Sequence, residues 1–142
     1  MRKVFEADGS DVKRFLSSYR RADHAISLQL REIDRLKTIA QQVSTAVTPG
    51  MRSDAIGRIQ ALEAEAAESI SGLCVLRQKI EHVIGQIEGD THREVLQRYY
   101  LQAQTLSEIA LELNYSRRHI SRLHQAGLEA AEQVLAQAAS GR

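Results

Sequence analysis

The stretch TLSEIALELNYSRRHISRL, Thr105 to Leu123, decides how this chain is read. Two short helices that cross at a sharp angle need a small residue at the crossing, and Ala110 is placed for it. Ile109, Leu113, Ile120 and Leu123 supply apolar groups on both sides of that crossing. Thr105 and Glu108 have the spacing of a capping box that starts the first helix. Asn114 stands four positions after Ala110, where the chain must turn with positive φ. Glycine adopts that conformation most easily, and asparagine is the best of the other residues. Ser116 can then cap the second helix. Turn, caps and apolar spacing all predict a helix-turn-helix.

Such a pair of helices also occurs in proteins that bind no DNA, and a basic run is often only a solvated face. The placement of charge separates the two readings. Between Leu113 and Leu128 there are three arginines, Arg117, Arg118 and Arg122, and no Asp or Glu. From Asp90 to the end there are six Lys or Arg and six Asp or Glu, so half the basic charge of this part lies on one short element. Arg117, Arg118, Ser121 and Arg122 start the second helix and project away from Ile120 and Leu123. A recognition helix meets base edges in the major groove at that end. The three arginines are candidates for bidentate contact with guanine or for phosphate contact. Ser116 and Ser121 can bond phosphate or a base. Thr105 and Ser107, at the start of the first motif helix, can present a hydroxyl or N–H to phosphate. His119 can reach phosphate; for His119 and His124 packing or plain exposure is the equal alternative.

Upstream, the apolar residues from Val12 through Ile26 and Ile39 to Val47 recur mostly at steps of three and four, predicting one long amphipathic helix over about 11–47. The stripe is weak between Tyr19 and Ile26, around Ala22 and Asp23, and looser packing is expected there. TPGMRSD breaks the pattern, with Ser53 or Asp54 as candidate caps. A second stripe follows over about 54–87: Ile56, Ile59, Leu62, Ala66, Ile70, Leu73, Leu76, Ile80, Val83, Ile84 and Ile87. Roughly 35 residues of helix span about 50 Å, and two such helices with a short turn predict an antiparallel, coiled-coil-like hairpin. Its uncovered faces make a homodimer the expectation, with the carboxy-terminal part folding back on the hairpin as the alternative. In EGDT, Gly89 can end a helix and Thr91 with Glu94 can open the next. The expected fold is all-α, with a hairpin domain over 1–88 and a three-helix helix-turn-helix domain over 89–142. Its helices run over about 92–101, from Thr105 to about Leu113, and from Ser116 to about Ala138, and ASGR is a frayed tail.

Composition sets the frame: 43% hydrophobic, 26% charged, one Pro and a net charge of +1. The net charge announces no nucleic-acid binding, so the local patch must carry that reading. No apolar run reaches membrane-spanning length, and MRKVFEADGSD has no apolar run behind its two basic residues. A cytoplasmic home is therefore expected. Cys74, alone in LCVL, can form no internal disulfide and is expected to be a buried, inert thiol. The five histidines show no i, i+4 metal pair and there is no Gly-rich phosphate loop. Neither an enzyme nor a cofactor is expected.

HREVLQRYYLQAQTLSEIALELNYSRRHISRLHQAGL resembles the fourth region of sigma-70-type factors, the helix-turn-helix that reads the promoter −35 element. The whole chain resembles phage and prophage transcriptional regulators with such a domain, related to the RinA and ArpU regulators, through SSYRRADHAISLQLREIDRL, SDAIGRIQALEAE and YSRRHISRLHQAGLEAA. The resemblance implies a regulator of transcription that binds double-stranded DNA and touches RNA polymerase. Two positions depart from the pattern: Asn114 where glycine is common, and Gly127 where alanine is usual, which weakens the recognition helix near its middle. Rival readings are a DNA-recognising assembly protein such as a small terminase-like subunit, and a helical protein-interaction module.

Overall fold

The computed structural model describes residues 9–42 and 48–140. Its helices run in the order α1 (Gly9–Gln42), α2 (Pro49–Gly85), α3 (Asp90–Leu96, prolonged by a π-helical turn over Gln97–Leu101), α4 (Leu106–Leu113) and α5 (Arg117–Ser140). There is no strand among the described residues, and no helix among them is long and apolar enough to cross a membrane. The protein is all-α, a long antiparallel hairpin followed by a small helix-turn-helix fold. Val43 and Val47, expected to continue the first helix, lie outside the described residues, as do the last two residues of the ASGR tail.

A heptad rhythm builds the hairpin. Val12, Tyr19, Ile26 and Ile33 are buried at intervals of seven, with Leu16 between the first two. On α2 the inward positions are Ile59, Leu62, Ala66, Ser69, Leu73, Leu76, Ile80 and Val83, alternating steps of three and four. Ser69 thus takes the place expected of Ile70, which is 40% exposed. The cost of a hydroxyl on the inner face is small, because Ser69 Oγ donates to the Glu65 carbonyl at 3.1 Å. Residues late in α1 meet residues early in α2, as antiparallel helices must. Tyr19 is bonded to Arg77, and Lys37 pairs with Glu63 at 2.7 Å.

Proline opens α2 rather than breaking it. Pro49 is the first helical residue, where its missing N–H costs no bond and its fixed φ suits the helix. The cap is Thr48, whose Oγ1 accepts the Met51 N–H at 3.1 Å, while the Arg52 N–H reaches the Thr48 carbonyl. The expected caps, Ser53 and Asp54, therefore lie inside the helix. Gly89 is likewise corrected. It does not end α2, which stops at Gly85, but precedes α3 with extended backbone, φ −82° and ψ 122°. No side chain caps α3, so the Thr91–Glu94 box does not form.

The described helices gather into two compact units. One joins α1 up to Arg20, α2 from Leu76 and the three carboxy-terminal helices; the other is Arg21–Val75. The weak stretch around Ala22 and Asp23 is where α1 leaves the first unit. Within that unit the π-turn bonds the Gln102 N–H to the Gln97 carbonyl, and the Leu101 carbonyl receives Arg77 Nη1 at 3.5 Å. Arg77 Nη1 also donates to Tyr19 Oη at 3.0 Å. These polar links tie the base of the hairpin to α3.

In the same unit α3 packs on α5, and Gly127 is what lets it approach. A Cβ there would stand 3.0 Å from Leu96 Cγ. Gly127 is buried and α5 runs unbroken through it to Ser140, so the expected weak point is a close contact. The Arg21–Val75 unit holds the other correction. Cys74 is exposed, because inward steps through Leu73 and Leu76 turn Cys74 and Val75 outward.

Candidate nucleic-acid interface

The helix-turn-helix is built from α4 and α5. Both halves of its opening box are present: Glu108 N–H to Thr105 Oγ1 at 3.0 Å, and Thr105 N–H to Glu108 Oε1 at 2.8 Å. Val95, Ile109, Ala110 and Ile120 form a buried core, with Tyr99, Leu106, Leu113 and Leu123 packed around it. At the end of α4, Asn114 is left-handed, φ 62° and ψ 41°. The Tyr115 N–H bonds the Ala110 carbonyl at 2.9 Å and the Asn114 N–H points to the Leu111 carbonyl at 3.4 Å, the Schellman pattern. Ser116 Oγ then accepts the His119 N–H at 3.0 Å and starts α5. Its O–H hydrogen remains available to a ligand.

All eight residues singled out in the sequence are exposed: Thr105, Ser107, Ser116, Arg117, Arg118, His119, Ser121 and Arg122. Six of them occupy or immediately precede the first turns of α5. Arg117 reaches back to α4, donating from Nη1 to Ser107 Oγ at 3.3 Å. Ser107 and Arg117 thereby share one edge of the motif, whereas Ser121 is one turn further along α5.

Two kinds of arginine coexist here. Arg93 is ion-paired with Asp90. Arg98 binds Glu94 at 3.0 Å and also Glu112, linking α3 to α4. Glu94 foremost, with Glu112, holds the Arg98 guanidinium above its ordinary pKa. Arg117, Arg118 and Arg122 have no carboxylate within 4.0 Å among the described residues. Three exposed guanidinium groups at the front of a helix, without internal counter-ions, leave a local positive field that the net charge hides.

The two histidines part company. His119 is exposed, its ring edge-on to Tyr115 with centroids 4.6 Å apart. His124 packs inward, 2.8 Å from Tyr100 Oη, with its ring stacked on that of Tyr100 and tilted against Tyr99. Burial, with Lys13 adding repulsion, pushes His124 down to about 4, so it is neutral near pH 7 and is no cation for DNA. Burial also raises the Tyr100 hydroxyl.

Sequence reasoning passed over Tyr115. It is 41% exposed beside the basic turn, and an aromatic residue directly after the turn asparagine is the signal that could have found it.

No curated protein matches the chain, and no solved structure does. Residues 89–130 match the family Sigma-70, region 4; that stretch spans α3, α4 and the first part of α5, and the chain carries there a sigma-region-4-like, DNA-binding helix-turn-helix.

Proposed function

We propose that this protein is a sequence-specific DNA-binding transcriptional regulator that inserts the start of α5 into the major groove. One observation carries the proposal: Arg117, Arg118 and Arg122 are exposed, free of carboxylates, and placed directly behind a capped turn. Arg118 and Arg122 are assigned to base edges. Thr105, Ser107, Ser116, Arg117, His119 and Ser121 position the duplex through phosphate. The protein acts by binding, without catalysis or a cofactor, in the cytoplasm. Its likeness to sigma region 4 over residues 89–130 supports a role at promoters with RNA polymerase as a further partner, and the prophage-type assignment rests on the sequence resemblance alone.

The Arg21–Val75 unit suits self-association. Leu28, Leu30, Ile39, Ile56, Ile70 and Val75 are each 40% exposed or more. A second copy covering them would set two recognition helices on a two-fold symmetric site. A mass measurement in solution at two concentrations checks this; a monomer at both would remove the dimer from the proposal.

DNA binding is tested by titrating duplex at several salt concentrations. Log affinity should fall linearly with log salt, by a slope of roughly 0.9 per phosphate contact. Arg118→Ala and Arg122→Ala should each cost about 1–3 kcal/mol and relax specificity at one position. Wild-type affinity in both variants would sink the assignment of α5 as the reading helix.

A further inference from the structure

The motif has a neighbour that its sequence does not announce. A cleft of about 240 Å³ opens beside the start of α4, lined by Arg20, Tyr99, Thr105, Leu106, Ser107 and Arg117. Arg20 comes from α1, some 85 positions before Thr105, yet it belongs to the same compact unit. Its guanidinium lies over the Tyr99 ring, 4.3 Å from the centroid. That contact holds a long side chain in one place and leaves the edge of the guanidinium open. No carboxylate is within 4.0 Å of Arg20 among the described residues. On the same cleft stands Arg117, whose one hydrogen bond among the described residues goes to the Ser107 hydroxyl. Glu108, next to Ser107 in the sequence, is turned to the Thr105 N–H at 2.8 Å.

We infer that Arg20, Ser107 and Arg117 form a phosphate clamp, and that α1 thereby contributes a DNA-backbone contact alongside α5. The inference rests on the DNA-binding reading above and deepens it. Two cations from separate elements line one open cleft, where an anion would meet the positive field of both. The cleft is several water volumes in size at roughly 30 Å³ each, enough for a tetrahedral oxyanion and its hydration. Guanidinium forks match phosphate oxygens, and the hydroxyl of Ser107 adds a third donor. Phosphate contacts fix register and carry no sequence information, so the clamp anchors the motif while Arg118 and Arg122 read. The consequence for architecture is that the hairpin base is part of the DNA-binding surface.

The test uses the full chain with Arg20→Gln and Arg20→Lys. Arg20→Gln should weaken binding by roughly three- to tenfold, equally on a selected site and on random duplex, and reduce the salt slope by about 0.9. Arg20→Lys should restore most of the slope, since it keeps the charge. If wild type binds duplex and Arg20→Gln binds with the same affinity and slope, the clamp is refuted and the DNA reading stands. If wild type shows no salt-dependent binding, the DNA reading itself falls and the clamp with it. A loss that Lys does not restore would mark Arg20 as a packing residue on Tyr99, and also overturns the clamp. Inorganic phosphate exchanged for chloride at constant ionic strength distinguishes the source of the anion. A saturable submillimolar shift of the Arg20 Nε resonance without DNA would assign the cleft to a free phosphate ligand instead.

Discussion

The Arg21–Val75 unit and the unit that holds the helix-turn-helix use the same helical material to different ends. Among the described residues of the first, the buried large apolar residues are Ile26 and Ile33, and seven large hydrophobic residues are exposed, among them Leu30, Ile56 and Val75. Among those of the second, Leu16, Ile80, Ile84, Leu96, Ile109 and Ile120 are fully buried, and the exposed large hydrophobics are Leu111 and Tyr115, both beside the turn. One region closes its own core. The other has one packed stripe and apolar surface to spare. A recognition helix must be held rigidly to discriminate bases, whereas an arm that recruits a second copy must keep a sticky face.

The largest expected effect separates the two directly. Ile109→Ala, in the closed core, should cost about 2–5 kcal/mol in a denaturant melt. Ile56→Ala, 49% exposed on the arm, should cost under about 0.5 kcal/mol to a monomer. Equal losses at low protein concentration would erase the contrast. A loss for Ile56→Ala that grows with concentration would sharpen it, because only an association is concentration-dependent.

The turn that aims α5 comes next. Asn114→Val forces a β-branched residue into φ 62° and should cost about 1–2 kcal/mol, while Asn114→Gly should be neutral or slightly stabilising. Melting temperatures that match for Asn114→Val and the parent would refute the importance of the turn.

Acid should strike the closed unit through His124. His124 has its pKa lowered to about 4 from an ordinary 6.5 by burial. Near neutral pH both folded and unfolded forms carry it neutral, and its contribution to stability is intact. As pH falls below 6.5 the unfolded chain takes up the proton first, so stability declines until the folded pKa is reached near 4. His124→Phe should flatten that part of the melting-temperature profile. A profile unchanged by the substitution would place the acid sensitivity elsewhere.

What the sequence disclosed follows the range of the interactions. Caps, turn and apolar rhythm of the helix-turn-helix act within a few residues, so Thr105, Ala110, Asn114 and Ser116 could be placed from spacing alone. Pro49 misled because a proline that ends one helix and one that opens the next look alike until Thr48 is seen to cap. Gly89 misled for the same reason. Cys74 misled because its apolar neighbours in LCVL were weighed above the phase of α2, which with Leu73 and Leu76 inward turns it outward. The contacts that join the hairpin base to the carboxy-terminal helices were illegible, because Tyr19 with Arg77 and Arg20 with Tyr99 pair residues that read, along the chain, as ordinary members of long helices. Arg20 has no local signal at all; only its contact with the Tyr99 ring brings it to the cleft.

Glycine exchanges give the smallest effect and the finest test of the comparison, since the same chemical change should have opposite signs in the two regions. At Gly72, on the arm, an added Cβ meets nothing within 4 Å. Gly72→Ala should therefore show helix propensity alone, a gain of up to about 1 kcal/mol. At Gly127 the same propensity gain is opposed by a Cβ 3.0 Å from Leu96 Cγ and 3.2 Å from its Cδ2. Leu96 is fully buried, so any shift presses on close-packed neighbours. Overpacking of this kind costs about 1–3 kcal/mol, so Gly127→Ala should lower the melting temperature although it makes the isolated helix stronger. A rise for both would mean that α3 and α5 separate without penalty, and the closed unit would then be no tighter than the arm.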